Sequence, residues 1–196
     1  MGGDGRRPVR PAVFLDRDGV LNALVADPQT GRPESPLRAS DAALLPGASE
    51  AVDALRRAGW AVVVASNQPA AAKGKATLED LRAVHHHVRD ALPPVEAWRY
   101  CLHHPEGTVA RLAGPCQCRK PAPGLLIAAA FELDLDLPES WMVGDSDSDV
   151  AAGVAAGCRT VLIEHEPSAH RRSGTMAADR HAADLPGAVR AILALP

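Results

Sequence analysis

The sequence predicts an α/β domain in which a parallel sheet is covered by helices on both faces, and three observations lead there. Apolar runs of strand length alternate with segments of helical period along the chain. Three of the runs end in polar or acidic residues (Asp16 with Asp18, Ser66 with Asn67, Gly144 with Asp145), and the carboxyl ends of parallel strands share the one edge where ligands bind. The chain has 196 residues, which fits a single domain spanning 1–196, and its hydrophobic content of 46% with only 3% aromatics calls for a core of Ala, Val and Leu.

The first strand is predicted over 13–15, stopping at Asp16, and the Pro-, Gly- and Arg-rich stretch over 27–41 reads as a surface excursion too short for a second domain. Pro46 and Gly47 open a helix whose apolar face is Ala48, Val52, Leu55 and Ala58, with Gly59 marking its end. A second strand over 61–65 runs into Ser66, Asn67 and Gln68. Thr77 and Asp80 have the spacing of a capping pair for a helix carrying Leu78, Leu81, Val84 and Val88, terminated by Pro93 and Pro94. A weaker strand over 95–100 follows, then a helix from Pro123 through Leu125, Leu126, Ala129 and Ala130. The remaining elements are a short strand over 141–143, a helix over 148–156, a strand over 160–163 and a closing helix over 185–195. His85, His86 and His87 are consecutive, so on a helix they point about 100° apart and read as a solvated face.

Asp16 and Asp18 at the mouth of an apolar strand lie on one side of extended backbone, and their mutual repulsion calls for a cation between them or beside them. That pair suits phosphoryl transfer. Asp16 would attack phosphorus to form an aspartyl-phosphate, while Asp18 would protonate the leaving oxygen and then activate water for the second step. Asp16, Asp145 and the Asp18 backbone carbonyl form an oxygen-only set that favours Mg²⁺. Asp149, four residues after Asp145, could hold the metal through water or orient a lysine, whereas Asp147 reads as solvated or a local cap. Ser66 offers a hydroxyl to a phosphoryl oxygen, Asn67 a backbone N–H, and Lys120 the fixed positive charge that the transition state needs. Arg119 has the fork geometry for a further anion on the substrate. No glycine-rich phosphate loop followed by Lys and Ser or Thr occurs, which disfavours a nucleotide-driven engine.

Cys101, His103, Cys116 and Cys118 supply three sulfurs and one nitrogen as two short clips, a full tetrahedral shell for structural Zn²⁺ with no position for reactive water. The predicted zinc-binding loop, 101–118, would hold Arg119 and Lys120 over the acidic edge. His104 is left out of the shell, and Cys158 reads as a core thiol. With no export signal, the cysteine cluster points to metal rather than disulfides and to a cytoplasmic protein. Formal net charge is −3, and basic residues occur in nothing longer than pairs such as Arg6–Arg7 and Arg171–Arg172, so neither nucleic acid nor an anionic membrane is an expected partner. No exposed apolar stripe is evident, which favours a monomer.

These motifs resemble those of the haloacid dehalogenase superfamily. Asp16-Arg17-Asp18-Gly19-Val20-Leu21-Asn22 is similar to its first motif, Ser66-Asn67-Gln68 to the second, Lys120 to the third, and Gly144-Asp145 with Asp149 to the fourth, over roughly 13–163 of the chain. Within it the chain looks most like the D-glycero-D-manno-heptose 1,7-bisphosphate phosphatase family, whose Cys-x-His and Cys-x-Cys loop followed by Arg-Lys-Pro is matched by Cys101, His103, Cys116, Cys118, Arg119, Lys120 and Pro121. The resemblance implies a Rossmann-like three-layer sandwich without a large cap domain, and Mg²⁺-dependent hydrolysis of the C7 phosphate of a small phosphorylated sugar. Asn67, Gln68, Arg119 and Lys120 would contact the substrate.

Three departures stand out. Pro69-Ala70 follows Gln68 where relatives commonly have Ser-Gly, removing a backbone donor; Lys73-Gly74-Lys75 stands for Arg-Gly-Lys; and Ser146 stands where many relatives place a lysine. The 23–43 segment, expected to cross the substrate entrance, is longer and richer in proline than a compact loop. Catalysis is therefore better marked than the sugar. A histidinol-phosphate phosphatase and a zinc-organised binding module without turnover are the competing readings.

Overall fold

A computed structural model describes residues 9–27 and 30–194. Arg6, Arg7 and Leu195, which entered the expectations above, lie outside the described residues. The main sheet has six parallel strands in the order β5-β4-β1-β6-β7-β8. They are β1 (Arg10–Leu15), β4 (Ala61–Asn67), β5 (Ala97–Cys101), β6 (Leu135–Gly144), β7 (Arg159–Ile163) and β8 (Arg180–Ala182). A separate antiparallel hairpin, β2 (Val25–Ala26) with β3 (Pro33–Glu34), rises from the excursion after β1.

Burial on both faces explains why the strands read as unbroken apolar runs. Along β1, Val13 and Leu15 face a core built with α1 (Ala48–Arg57), α2 (Leu78–Asp90) and α5 (Leu185–Leu193). Ala12 and Phe14 face the opposite core, against α3 (Gly124–Leu133), while α4 (Asp147–Ala156) packs on β6 and β7. The result is helix, sheet, helix in three layers. Thr77 and Asp80 form the expected reciprocal capping box of α2.

Several expectations need adjustment. β6 starts six residues before the predicted strand, because Ser140 satisfies the Ala12 N–H at 2.8 Å and lets a polar stretch join the sheet. β8 was not expected; its three residues, Arg180, His181 and Ala182, are mostly exposed on the sheet edge and carry no apolar run. His86 and His87 are exposed, but His85 turns inward, its Nδ1 2.7 Å from the Tyr100 hydroxyl. Ile127 and Phe131, one turn apart on α3, stand exposed. Among the described residues no helix is long and apolar enough to cross a membrane.

Candidate active site

Strand order brings the motif residues together. β1 lies between β4 and β6, so Asp16 emerges from the middle of the sheet between Ser66 and Asp145. Its backbone N–H still donates to the Val143 carbonyl at 2.9 Å. Carboxylate oxygens of Asp16, Asp145 and Asp149 all lie within 4.8 Å of one another, and all three side chains are buried. Two glycines permit this density. A Cβ on Gly19, which has φ of +92°, would sit 2.0 Å from Asp145 Oδ2, and one on Gly144 would sit 2.1 Å from the Asp149 Cβ.

Three buried carboxylates need positive charge, and Lys120 supplies the first share. Its Nζ donates to the Ala65 carbonyl at 2.6 Å and pairs with Asp149 Oδ1 at 2.6 Å and Asp16 Oδ1 at 3.0 Å. Burial works against the charged lysine, but Asp149 and Asp16 hold it above its ordinary value. Asn67 fixes the backbone of Lys120 by accepting from its N–H at 3.1 Å and donating to its carbonyl at 3.0 Å. Asp149 Oδ2 accepts from the Ser146 N–H at 3.1 Å and its hydroxyl at 2.5 Å, which caps α4. The contact of Asp149 with Lys120 is the geometry that orienting the lysine would require.

Burial pushes Asp16 above the usual carboxylate range, with Lys120 opposing, and pushes Asp145 up to about 8 against the pull of Arg171. Asp145 Oδ1 is fully buried with no hydrogen-bond partner among the described residues. A buried carboxylate oxygen facing two other carboxylates, in an oxygen-only set, fits a hard divalent ion such as Mg²⁺.

Asp18 is built differently. Its carboxylate accepts from Arg17 Nε and Nη2 at 3.0 Å each, from Asn22 at 2.9 Å and from Gln68 at 2.6 Å. Burial alone would raise it; the Arg17 guanidinium, with the Gln68, Asn22 and Ser35 side chains, outweighs burial and holds it below the ordinary range. Gln68 also donates to Ser66 Oγ at 3.1 Å and accepts from Arg17 at 2.9 Å. Gln68 and Asn67, expected at the substrate, therefore spend their side chains on Asp18 and Lys120. Arg17 in turn lies over the Tyr100 ring, 5.7 Å from its centre.

The segment after β7 forms the remaining wall. His165 Nε2 lies 2.8 Å from the Gly19 carbonyl. Arg172 donates through Nη1 to the carbonyls of Asp145 and Ile163 at 3.3 Å each and to Ser168 Oγ at 2.7 Å, and through Nη2 to the His165 carbonyl at 3.1 Å. Asp147 Oδ2 accepts from the Ser173 N–H at 2.7 Å and hydroxyl at 2.5 Å, so Asp147 anchors this segment rather than standing in solvent. Beside Gln68 opens a cavity of about 700 Å³, walled by Ser35, Arg38, Asp41, Lys73 and Lys75 among others, with residues of the 23–43 excursion forming one side.

Cys101, His103, Cys116 and Cys118 converge, as the clips predict. The sulfurs lie 3.2–3.6 Å apart and His103 Nδ1 is 3.5 Å from Cys118 Sγ and 3.8 Å from Cys101 Sγ. Sulfurs joined as a disulfide would be about 2.05 Å apart, whereas a tetrahedral shell with Zn–S bonds of about 2.3 Å has edges of about 3.7 Å. Arg119, immediately after the cluster, donates to the His103 carbonyl at 3.4 Å. His104 hydrogen-bonds the Glu106 N–H and Cys158 is a buried core thiol, as expected.

Sequence reading missed Arg17, Tyr100, His165, Arg171 and Arg172. The pair Arg171–Arg172 was visible only as a basic doublet with nothing to say what it would face.

Comparison with known proteins gives a consistent picture. The HAD-hydrolase-like family matches residues 117–186. A D-glycero-D-manno-heptose-1,7-bisphosphate 7-phosphatase of Thermosynechococcus vestitus is 40% identical over 163 residues, covering 79% of each chain. The D-glycero-beta-D-manno-heptose-1,7-bisphosphate 7-phosphatase of Yersinia pestis is 33% identical over 92% of this chain and 96% of its own. Among solved structures, the D,D-heptose 1,7-bisphosphate phosphatase of B. bronchiseptica, complexed with magnesium and phosphate, superimposes with a TM-score of 0.77 at 30% identity over 93% of this chain and 98% of that one.

Proposed function

The chain belongs to the D-glycero-D-manno-heptose 1,7-bisphosphate phosphatase family of the haloacid dehalogenase superfamily, and on that premise we propose that it removes the C7 phosphate of that sugar bisphosphate through a phosphorylated Asp16. The observation that carries the proposal is the meeting of Asp16, Asp145 and Asp149 at the sheet edge, with Lys120 between Asp16 and Asp149 and Asp145 Oδ1 without a hydrogen-bond partner among the described residues.

Asp16 and Asp145, with the Asp18 carbonyl, would hold Mg²⁺, whose charge would let an anionic phosphate monoester approach the Asp16 carboxylate. Asp16 then forms a bond to phosphorus as the ester P–O bond breaks and the sugar oxygen leaves with a proton. Asp18, kept ionised by Arg17, Gln68 and Asn22, is set for the second half: it takes a proton from water, whose oxygen attacks phosphorus, and Asp16 is released with inorganic phosphate. The proton for the leaving sugar oxygen enters with a substrate bound as its phosphate monoanion and passes through Asp18. Lys120 sets its positive charge against Asp16 and Asp149 while charge spreads over the phosphoryl oxygens, and Ser66 lines the same edge.

The cavity volume suits a phosphorylated sugar, and Arg38 and Lys73 on its wall supply charge for a second phosphate; Lys75 is already paired with Asp27 at 2.7 Å. Arg119 is the remaining candidate for substrate contact. Zn²⁺ in the Cys101, His103, Cys116 and Cys118 shell would tie the 101–118 loop to β5 and so fix Arg119 and Lys120. The whole chain, 1–196, acts as one domain, as a cytoplasmic monomer binding neither nucleic acid nor membrane. An Asp16→Asn protein that stays folded should release no phosphate, and near-normal release would overturn the nucleophile. Parallel assays of heptose bisphosphate and histidinol phosphate test the substrate, a preference for histidinol phosphate overturning it; turnover of no phosphoester with Mg²⁺ present would favour a binding module.

A further inference from the structure

Arg171 reaches the oxygens that define the candidate metal position. Its Nη1 lies 3.1 Å from the Asp18 carbonyl oxygen and 3.4 Å from Asp145 Oδ2, and its Nη2 lies 3.9 Å from Glu34. The side chain is 17% exposed and Asp145 is fully buried, so the contact is weakly screened by water and salt. The backbone that carries Arg171 is tied down on both sides. His165 holds it to the Gly19 carbonyl, Arg172 to the ends of β6 and β7, and Ser173 to Asp147.

The charge pattern gives this contact a purpose. Asp16, Asp145 and Asp149 crowd three buried carboxyl groups together, and Lys120 and Arg171 are the cations that reach them, Lys120 at Asp16 and Asp149 and Arg171 at Asp145. A divalent ion bonded to Asp145 and the Asp18 carbonyl needs those oxygens at about 2.1 Å. The Asp18 carbonyl oxygen would serve both cations, Arg171 holds Asp145 through Oδ2 while Oδ1 stays open, and two positive charges on one carboxylate repel, so a bound divalent ion and the guanidinium each weaken the other's hold. The free end of Arg171 has somewhere to go, because Glu34 stands beside it on the hairpin.

We propose that Arg171 is an internal counter-cation that competes with the divalent ion for Asp145 and the Asp18 carbonyl, and thereby weakens and sets the metal affinity of the site. Removing it should tighten metal binding, the opposite of what removal of a supporting wall residue would do. The proposal rests on the divalent-ion reading of the site.

The test is Mg²⁺ titration by calorimetry on the purified, zinc-replete protein, comparing wild type with Arg171→Gln and Asp145→Asn. Loss of a unit charge beside a divalent ion should lower the Mg²⁺ Kd of Arg171→Gln by about tenfold, while its metal-free unfolding midpoint falls. An unchanged or higher Kd in a folded Arg171→Gln protein overturns the proposal. Asp145→Asn separates the two levels: if it binds Mg²⁺ as wild type does, the metal reading itself fails. A readout that needs no variant is hydrogen exchange over 165–173 in wild-type protein. Mg²⁺ saturation should speed exchange as the guanidinium gives up its anchors, and slower or unchanged exchange there overturns the proposal even if Arg171→Gln does not fold.

Discussion

Replacing Lys120 by methionine removes the one ammonium that Asp16 Oδ1 and Asp149 Oδ1 share, at 3.0 and 2.6 Å, in a position almost sealed from solvent. Methionine keeps most of the volume, so the cost is electrostatic. Breaking a buried pair from one side costs about 3–5 kcal/mol. An independent bound agrees: a stranded carboxylate can escape by taking a proton, which at pH 7 costs about 4 kcal/mol for an ordinary aspartate. With a urea slope of about 2 kcal/mol/M, the midpoint of metal-free protein should fall by about 2 M. The double variant Lys120→Met with Asp149→Leu removes both charges, and it should recover at least about half of that loss. Urea unfolding followed by far-UV circular dichroism at pH 7 measures all four corners of the cycle. A Lys120→Met loss below about 1 kcal/mol, or additive single and double losses, would refute the shared-ammonium account.

Three further outcomes follow from other parts of the structure. Gly19→Ala forces a side chain into left-handed backbone, at about 1–2 kcal/mol, and drives its Cβ into Asp145 Oδ2; Mg²⁺ affinity by calorimetry should drop about tenfold or more, and an unchanged affinity would free Asp145 from this turn. Cys118→Ser should abolish the one zinc atom per chain expected by elemental analysis and lower Tm by about 5–10 °C, equivalent to about 2–3 kcal/mol; full zinc content in the variant would remove Cys118 from the shell. His85 is held down to about 4 by burial, aided by His86, Arg89 and Arg17 against Asp90. The folded state thus binds fewer protons than the unfolded one between that value and 6.5, so the stability His85 contributes is complete above 6.5 and is lost as pH falls toward 4. Denaturation midpoints of His85→Gln should fall less than those of wild type across that window, and parallel curves would contradict the assignment.

The layers and the acidic edge were legible because they are encoded locally. Val13 to Leu15 and Val62 to Val64 are strand-length apolar runs with no competing helical period, and β-branched residues buried on both sheet faces leave little other choice. Asp16 and Asp145 each follow their own strand directly and Ser66 is the penultimate residue of its strand, so only the parallel order was needed to bring them together. The cysteine clips were legible for the same reason, each being two residues apart. What escaped was long-range. Arg171 meets Asp18 across 153 positions and His165 meets Gly19 across 146, and neither contact leaves a periodic or compositional mark. The side-chain bonds of Asn67 and Gln68 also escaped, because an amide after a strand looks the same whether it faces a substrate or a neighbouring side chain. β8 escaped because an exposed edge strand of three residues has no apolar run to show.

The central claim is that Asp16 carries the phosphoryl group. Its most direct measurement uses Asp18→Asn protein, in which the base for hydrolysis is gone, mixed with Mg²⁺ and p-nitrophenyl phosphate, whose leaving group needs no protonation. Acid quenching followed by peptide mass spectrometry should find one phosphoryl group on Asp16, matched by a stoichiometric burst of nitrophenolate. A burst with no phosphoryl group on Asp16, or with that group on another residue, would contradict it.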